Sequence, residues 1–164
     1  MEIIIRKIEE SDIEGLRETI GAVAREKKFL SVTDAFTLDQ TTQYVSNNIA
    51  NNYAQYVADL GGEIIGWADI VPGQRESTRH CGGLGIGILK AYRGQGVGGQ
   101  LLANVIRHSW DNGLTRLQLD VYSDNHRAIA LYQKHGYQYE GTKRNAILID
   151  GRYRDLNVMA QCRL

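Results

Sequence analysis

The stretch Lys90–Gly99, KAYRGQGVGG, restricts what this chain can fold into more than any other. Its glycines at 94, 96 and 99 spell G-x-G-x-x-G, the turn that seats a dinucleotide pyrophosphate on a helix N-terminus, and Asp120 stands near the distance at which an acid would take the ribose. The position of the turn argues against that use. A dinucleotide-binding fold carries its fingerprint directly behind the first strand and continues with several strand–helix units. Here about eighty residues come first, Lys90 to Arg93 separate the apolar run from the glycines, and only one helical pattern and a hairpin follow Asp120. A P-loop fails as well, because Gly98-Gly99-Gln100 has neither the lysine nor the hydroxyl. The physical content of the turn remains. Glycines leave backbone amides unobstructed where a helix begins, and free N–H groups at the positive end of the helix dipole favour an anion of phosphate type. A purely structural cap is the competing reading of the same glycines.

One domain over residues 1–164 is expected. A chain of 164 residues with 43% hydrophobic composition can bury one full core but is too short for separate cofactor and substrate domains. Lys plus Arg and Asp plus Glu balance at 19 each without a basic run, so nucleic acid is not an expected partner. MEIIIRKIEESD places charges directly behind Ile3–Ile5 and reads as neither signal peptide nor membrane span, so a cytoplasmic location is expected. Cys81 and Cys162 lack CxxC spacing, and His80, His108, His126 and His135 form no i, i+4 pair. Neither a disulfide framework nor a metal site is expected.

Residues 3–8 read as a short strand. Ser11 with Glu14 fits a capping box opening a helix with Ile13, Leu16, Ile20 and Val23 on one face. Thr37 with Gln40 fits a second, opening a helix to about Ile49 with Tyr44, Val45 and Ile49 as its stripe. The loop between them, KKFLSVTDAF, reads either as a substrate mouth or as a packed connection. YAQYVADL and EIIGWADIV flank Gly61-Gly62 as a hairpin, and GGLGIGIL is a third strand. A helix from about Gly96 to Asn112 follows, with Leu101, Leu102, Val105, Ile106 and Ser109 on one face. Then come the strand LTRLQLDV, a helix from about Asn125 to His135, and two strands joined by Asp150-Gly151, a type I′ signal. The order β, α, α, β, β, β, α, β, α, β, β places the chain in the α/β (α+β) class.

Within this order YRGQGVGGQLL fits Q/R-x-x-G-x-G/A as Arg93 to Gly98. LDVYSDNHRAIALYQKHGYQYEG carries N-x-x-A-i-x-L-Y-x-k-x-G-F, with Tyr137 in place of the usual Phe. On these motifs the chain resembles the GNAT N-acetyltransferase superfamily, from about residue 53 to the end in order and spacing. The resemblance implies a GNAT-like fold, a central, mixed, mostly antiparallel seven-stranded sheet flanked by about four helices. It implies acetyl transfer from acetyl-CoA as co-substrate, without a metal, to a primary amine of a small molecule or peptide by direct attack in a ternary complex. The pyrophosphate would rest on the amides of Arg93, Gly94, Gln95, Gly96, Val97, Gly98 and Gly99. The pantetheine arm would run along the strand at Ile86 and Ile88, and Asn125 would mark the cofactor side of the last helix. Tyr132, on the same side of that helix as Asn125, is implied as general acid: a phenol of pKa about 10 protonates the departing thiolate and stays protonated at neutral pH.

The base is less determined. Many relatives carry a glutamate on the strand before the turn, and no carboxylate lies between Cys81 and Leu89 here. Asp120 is the first candidate, because Leu117, Leu119 and Val121 take one strand face and leave Gln118, Asp120 and Tyr122 on the other. In relatives that acetylate ribosomal-protein N-termini, a glutamate stands as far before the helix tyrosine as Asp120 stands before Tyr132. A backbone contact at a strand end is the alternative for Asp120, and Asp69, His80 and Glu140 are reserves. Gly83, Gly85 and Gly87 bare one face of GLGIGIL, either for close packing or for substrate. The acceptor has no diagnostic motif: a free amino acid, a peptide N-terminus, a polyamine or an antibiotic amine all fit. A coenzyme A-binding regulatory module without turnover is the alternative function, and exposed strands leave room for a homodimer.

Overall fold

Backbone hydrogen bonds pair all seven strands into a single sheet in the computed structural model, which describes residues 1–164. The strands are β1 (Ile3–Lys7), β2 (Ala54–Leu60), β3 (Glu63–Pro72), β4 (Cys81–Ile88), β5 (Arg116–Tyr122), β6 (Gln138–Ile149) and β7 (Arg152–Cys162). Their order across the 7-stranded sheet is β1-β2-β3-β4-β5-β7-β6, and every neighbouring pair is antiparallel except β4 with β5. The helices are α1 (Ile13–Arg25), α2 (Leu38–Ala50), α3 (Val97–Asp111) and α4 (His126–Lys134). This is the mixed, mostly antiparallel architecture with four helices that the sequence led us to expect. No helix is long and apolar enough to cross a membrane.

Both faces of the sheet are covered. α3 lays Leu101, Leu102 and Val105 against Ile70, Leu117 and Met159, while α1 and α2 lay Leu16, Val23 and Val45 against Val57, Ile64 and Trp67. Each such side chain contributes about 1.5–3 kcal/mol on full burial. With both faces fixed this way, the strand ends and the gaps between strands are left for a site.

Local chemistry explains where the elements start and turn. Asp150 and Gly151 have φ of 52° and 75°, the two positive values a type I′ hairpin needs. Thr37 and Gln40 form their reciprocal cap, with Gln40 N–H donating to Thr37 Oγ1 at 3.1 Å and Thr37 N–H to Gln40 Oε1 at 3.0 Å. The Ser11–Glu14 cap does not form. Asp12 organises that start instead, its carboxylate accepting from both terminal nitrogens of Arg6 at 2.8 Å and from Glu9 N–H at 2.8 Å, so a 3-10 turn (Glu10–Asp12) precedes α1. The buried face of α2 is also turned from the expected stripe. Asn48 is buried because its amide donates to Gln55 Oε1 of β2 at 2.9 Å, and Ile49 is left 40% exposed.

β4 and β5 pair only from Cys81–Arg116 to Gly83–Gln118 and then part. The facing edges of Leu84–Ile88 and Leu119–Tyr122 therefore have no strand between them.

Candidate active site

The gap opens into a cavity of about 1410 Å³. Pockets for one small ligand usually hold about 300–1,000 Å³, so there is room for a large ligand and a second, smaller one. Ile86 and Ile88 line it from β4, Asp120 from β5, and Asn125 and Tyr132 from α4 and its N-cap. Arg93, Gly94, Gly96, Val97, Gly98 and Gly99 line it from the turn. Gln95 is the member of the expected row that does not; its side-chain amide folds back on Ala91 O at 3.5 Å.

The turn presents its backbone to this cavity. Gly94 and Gly96 have φ of 79° and 81°, which only glycine adopts without strain, and Gly96 is the N-cap of α3. No backbone N–H from Gly94 through Gly99 has a hydrogen-bond partner within the chain. A side chain built at Gly96 would meet nothing, so the space in front of these donors is free. Donors of this kind at a helix N-terminus suit a pyrophosphate. Arg127, which the sequence reading passed over, brings an exposed guanidinium beside Gly94 and makes no salt bridge.

Arg93 does not share this arrangement. Its N–H is turned into a 3-10 contact with Lys90 O at 3.4 Å, and its guanidinium holds both carboxylate oxygens of Glu26, at 2.5 and 2.9 Å. The same guanidinium donates to Ile88 O at 2.8 Å and lies over the Phe29 ring at 4.6 Å. Arg93 thus ties the loop after α1 to the turn, and the Ile88 carbonyl is already occupied. That loop both lines the cavity and packs: Phe29, Val32 and Phe36 line it, while Leu30 O accepts from Tyr122 OH at 3.0 Å.

Tyr132 is 8% exposed, its ring edge-on to Tyr137 at 6.0 Å between centroids. Burial alone, with no hydrogen bond to the hydroxyl contributing, pushes its pKa up to about 12. It holds its proton throughout the neutral range. Asn125 has part of its capacity committed, since Oδ1 caps α4 by accepting from Ala128 N–H at 3.2 Å.

On the other face, the bare side of β4 is divided. Gly87 stands opposite Trp67, whose ring fills the space a side chain would take, whereas nothing stands near Gly83. Packing claims one end and open volume the other. Gly87→Ala is expected to cost about 1–3 kcal/mol by overpacking, and Gly83→Ala to stay within about 0.5 kcal/mol; urea denaturation of both variants checks this.

Gly85, between them, stands opposite Asp69 of β3. Asp69 is 7% exposed and accepts from Tyr44 OH of α2 at 2.8 Å. Burial pushes its carboxyl up to about 7, a rise that the Tyr44 hydrogen bond partly offsets. Asp120 also lines the cavity but in a different setting: Oδ2 accepts from Lys143 Nζ of β6 at 2.9 Å, and the side chain is 40% exposed. His80 and Glu140 do not line the cavity. His80 is an exposed residue ahead of β4, and Glu140 is held by Arg116 at 2.6 Å, which also holds its carboxyl below the usual range.

The chain is similar to several known proteins. The acetyltransferase (GNAT) family model matches residues 24–137. L-amino acid N-acetyltransferase AaaT of Escherichia coli (strain K12) is 34% identical over 109 residues, 65% of this chain and 67% of that protein. The crystal structure of an acetyltransferase of the GNAT family from Streptococcus pneumoniae superposes with a TM-score of 0.92 at 32% identity, covering 99% of this chain and 100% of that one. The same fold, at a TM-score of 0.92 and 18% identity over 99% of this chain and 94% of that one, occurs in yncA, a putative acetyltransferase from Salmonella typhimurium solved with its cofactor acetyl-CoA.

Proposed function

Since the chain belongs to the GNAT family of acetyltransferases, we propose that it moves an acetyl group from acetyl-CoA to a primary amine of a small molecule or peptide, both bound together in the cavity between β4 and β5. The observation that carries this reading is the row of unpartnered N–H groups from Gly94 through Gly99 at the start of α3, opening into a cavity with room for two ligands. Acetyl-CoA supplies the activated acetyl thioester.

The chain's own residues do the rest. The amides of Gly94 through Gly99, with Arg127 beside them, take the pyrophosphate charge. The free edge at Ile86 offers backbone groups to the pantetheine arm, as an open strand edge does for any extended chain. The Asn125 amide nitrogen, left over from capping, faces the same side. Tyr132 OH gives its proton to the departing sulfur, and its retention at high pH keeps it in the donating form. Asp120 and Asp69 are the carboxylates that line the acceptor side, where one of them relieves the attacking nitrogen of a proton. Tyr132 and an unbroken glycine turn favour turnover over a regulatory module that only binds.

Differential scanning of the purified protein tests the reading. A ligand at 100 times its Kd stabilises by about 2.7 kcal/mol, which for a domain of this size is a Tm rise of roughly 5–10 °C. That rise is expected with acetyl-CoA and absent with NAD. A rise with NAD and none with acetyl-CoA would remove the basis of the proposal, and binding without thiol release in the presence of a mixed amine panel would leave the regulatory module in its place.

A further inference from the structure

Five charged side chains line the cavity: Asp69, Arg93, Asp120, Arg127 and Lys143. Arg93 is neutralised by Glu26, and Asp120 and Lys143 neutralise one another. Arg127 stands at the glycine turn. Asp69 alone is an acid without a cation. Its Oδ1 accepts from Tyr44, while its Oδ2 accepts no bond within the chain and is not sealed from the cavity. β2 places Gln55 and β4 places Gly85 in register with it, so the strands on either side bring it no charge. Tyr44 from α2 is the titratable group in contact with it, and Asp120 of β5 and Lys143 of β6 face the same cavity as a pair. A Cβ at Gly85 would stand 3.2 Å from Asp69 Oδ1, and at Gly83 nothing is near, so the absence of side chains on β4 keeps the approach to the carboxylate clear. The rest of the lining is mainly apolar, 22 of 39 residues being hydrophobic.

A buried carboxylate without a counter-ion is unfavourable until a cation joins it, and a site with one such acid in an apolar wall matches a ligand with one cation on an apolar stem. Resting on the acetyl-transfer reading above, we infer that the acceptor is a monoamine on an apolar stem, held as its ammonium ion and deprotonated by Oδ2 of Asp69. One N–H proton passes to Asp69 Oδ2, and the freed lone pair forms the N–C bond to the acetyl carbon as the C–S bond breaks. The sulfur keeps that bond's electron pair and is protonated by Tyr132, and the nitrogen's second surplus proton restores the tyrosine. Asp69 then releases its proton to water, so that ammonium ion and thioester become amide, thiol and one proton with no other reactant. A polyamine, with several cations, finds only one free acid here.

The test uses the full chain and Asp69→Asn, which keeps an acceptor for Tyr44. Acceptors are 2-phenylethylamine, spermidine and semicarbazide, the last already uncharged at pH 7. The wild type is expected to prefer 2-phenylethylamine to spermidine at least about 10-fold in kcat/KM, with activity rising through about pH 7. D69N is expected to lose on the order of 100-fold with 2-phenylethylamine, to lose that rise, and to lose less than about 10-fold with semicarbazide.

A readout without turnover accompanies it. The carboxyl goes from 3.8 unfolded to about 7 folded, so between those values the folded chain holds the extra proton. Stability from this group is fully present below about pH 4 and is lost as pH rises through about 7. D69N should therefore melt several degrees above the wild type at pH 8 and close to it at pH 4. Equal losses with both amines, a preference for spermidine, a pH rise abolished by Asp120→Asn and kept in D69N, or no pH-dependent gain in Tm would each overturn the inference. A wild type that fails to bind acetyl-CoA overturns the reading beneath it instead.

Discussion

Tyr132→Phe is expected to lower kcat on the order of 100-fold while leaving acetyl-CoA affinity unchanged. No hydrogen bond within the chain acts on the hydroxyl, so its removal breaks none, and the ring keeps its edge contact with Tyr137. Proton donation by a placed side chain is typically worth 10²–10⁴-fold, and the lower end applies where water can reach the leaving sulfur. Burial holds the Tyr132 pKa at about 12, so the wild type should show no loss of activity from this group between pH 7 and about 10. Thiol release followed across pH for both forms is the measurement, with Tm as a control that should not fall. An unchanged kcat, where solvent isotope effects show proton transfer to limit the rate, assigns Tyr132 to packing alone and leaves the leaving group to water.

Gly96→Val acts earlier, on binding. Gly96 sits at φ of 81°, a conformation that costs a residue with a Cβ about 1–2 kcal/mol, and more when that Cβ is branched. The fold should tolerate this, with Tm lowered by roughly 2–8 °C. The new side chain projects into space that is open in the protein alone, so the heavier penalty falls on the ligand. Hydrogen bonds to a charged group are worth about 1.5–3 kcal/mol each. Obstructing two amides of the row is then expected to raise the Kd for acetyl-CoA at least on the order of 100-fold, read by titration calorimetry. A Kd that stays where it was, in a folded variant, would place the phosphates elsewhere and return the glycines to a capping role.

What the sequence disclosed and what it withheld divide along a physical line. The turn at Gly94–Gly99, the Thr37 cap, the Asp150-Gly151 hairpin and the buried face of α3 depend on neighbours a few residues away, and all were legible. Arg93 was expected to serve through its amide, but that N–H meets Lys90 O and the side chain is held by Glu26 and Phe29, which lie far off in the chain. Asp69 was only a reserve because nothing local marks it. Its burial follows from the register Gln55–Asp69–Gly85 across three strands and from Tyr44 descending from α2. Asp120, locally the better candidate, meets Lys143 only once β5, β7 and β6 lie side by side. The bare face of β4 could not be assigned from alternation alone, since Trp67 covers one of its glycines and leaves another open.

The short pairing of β4 with β5 divides the sheet into two leaves, β1–β4 and β5–β7–β6, joined between strands only from Cys81–Arg116 to Gly83–Gln118. Asp69 belongs to the first leaf. Tyr132, through α4 and its junction with β5, belongs to the second. The proposed acid and base are therefore not carried by one rigid element, and the dihedral opening between the leaves would set the distance over which a proton is delivered on one side and removed on the other. A side chain added at the fork, where Gly82 packs on Ile70 and Leu114, would alter that angle and retune both proton transfers at once without touching either group.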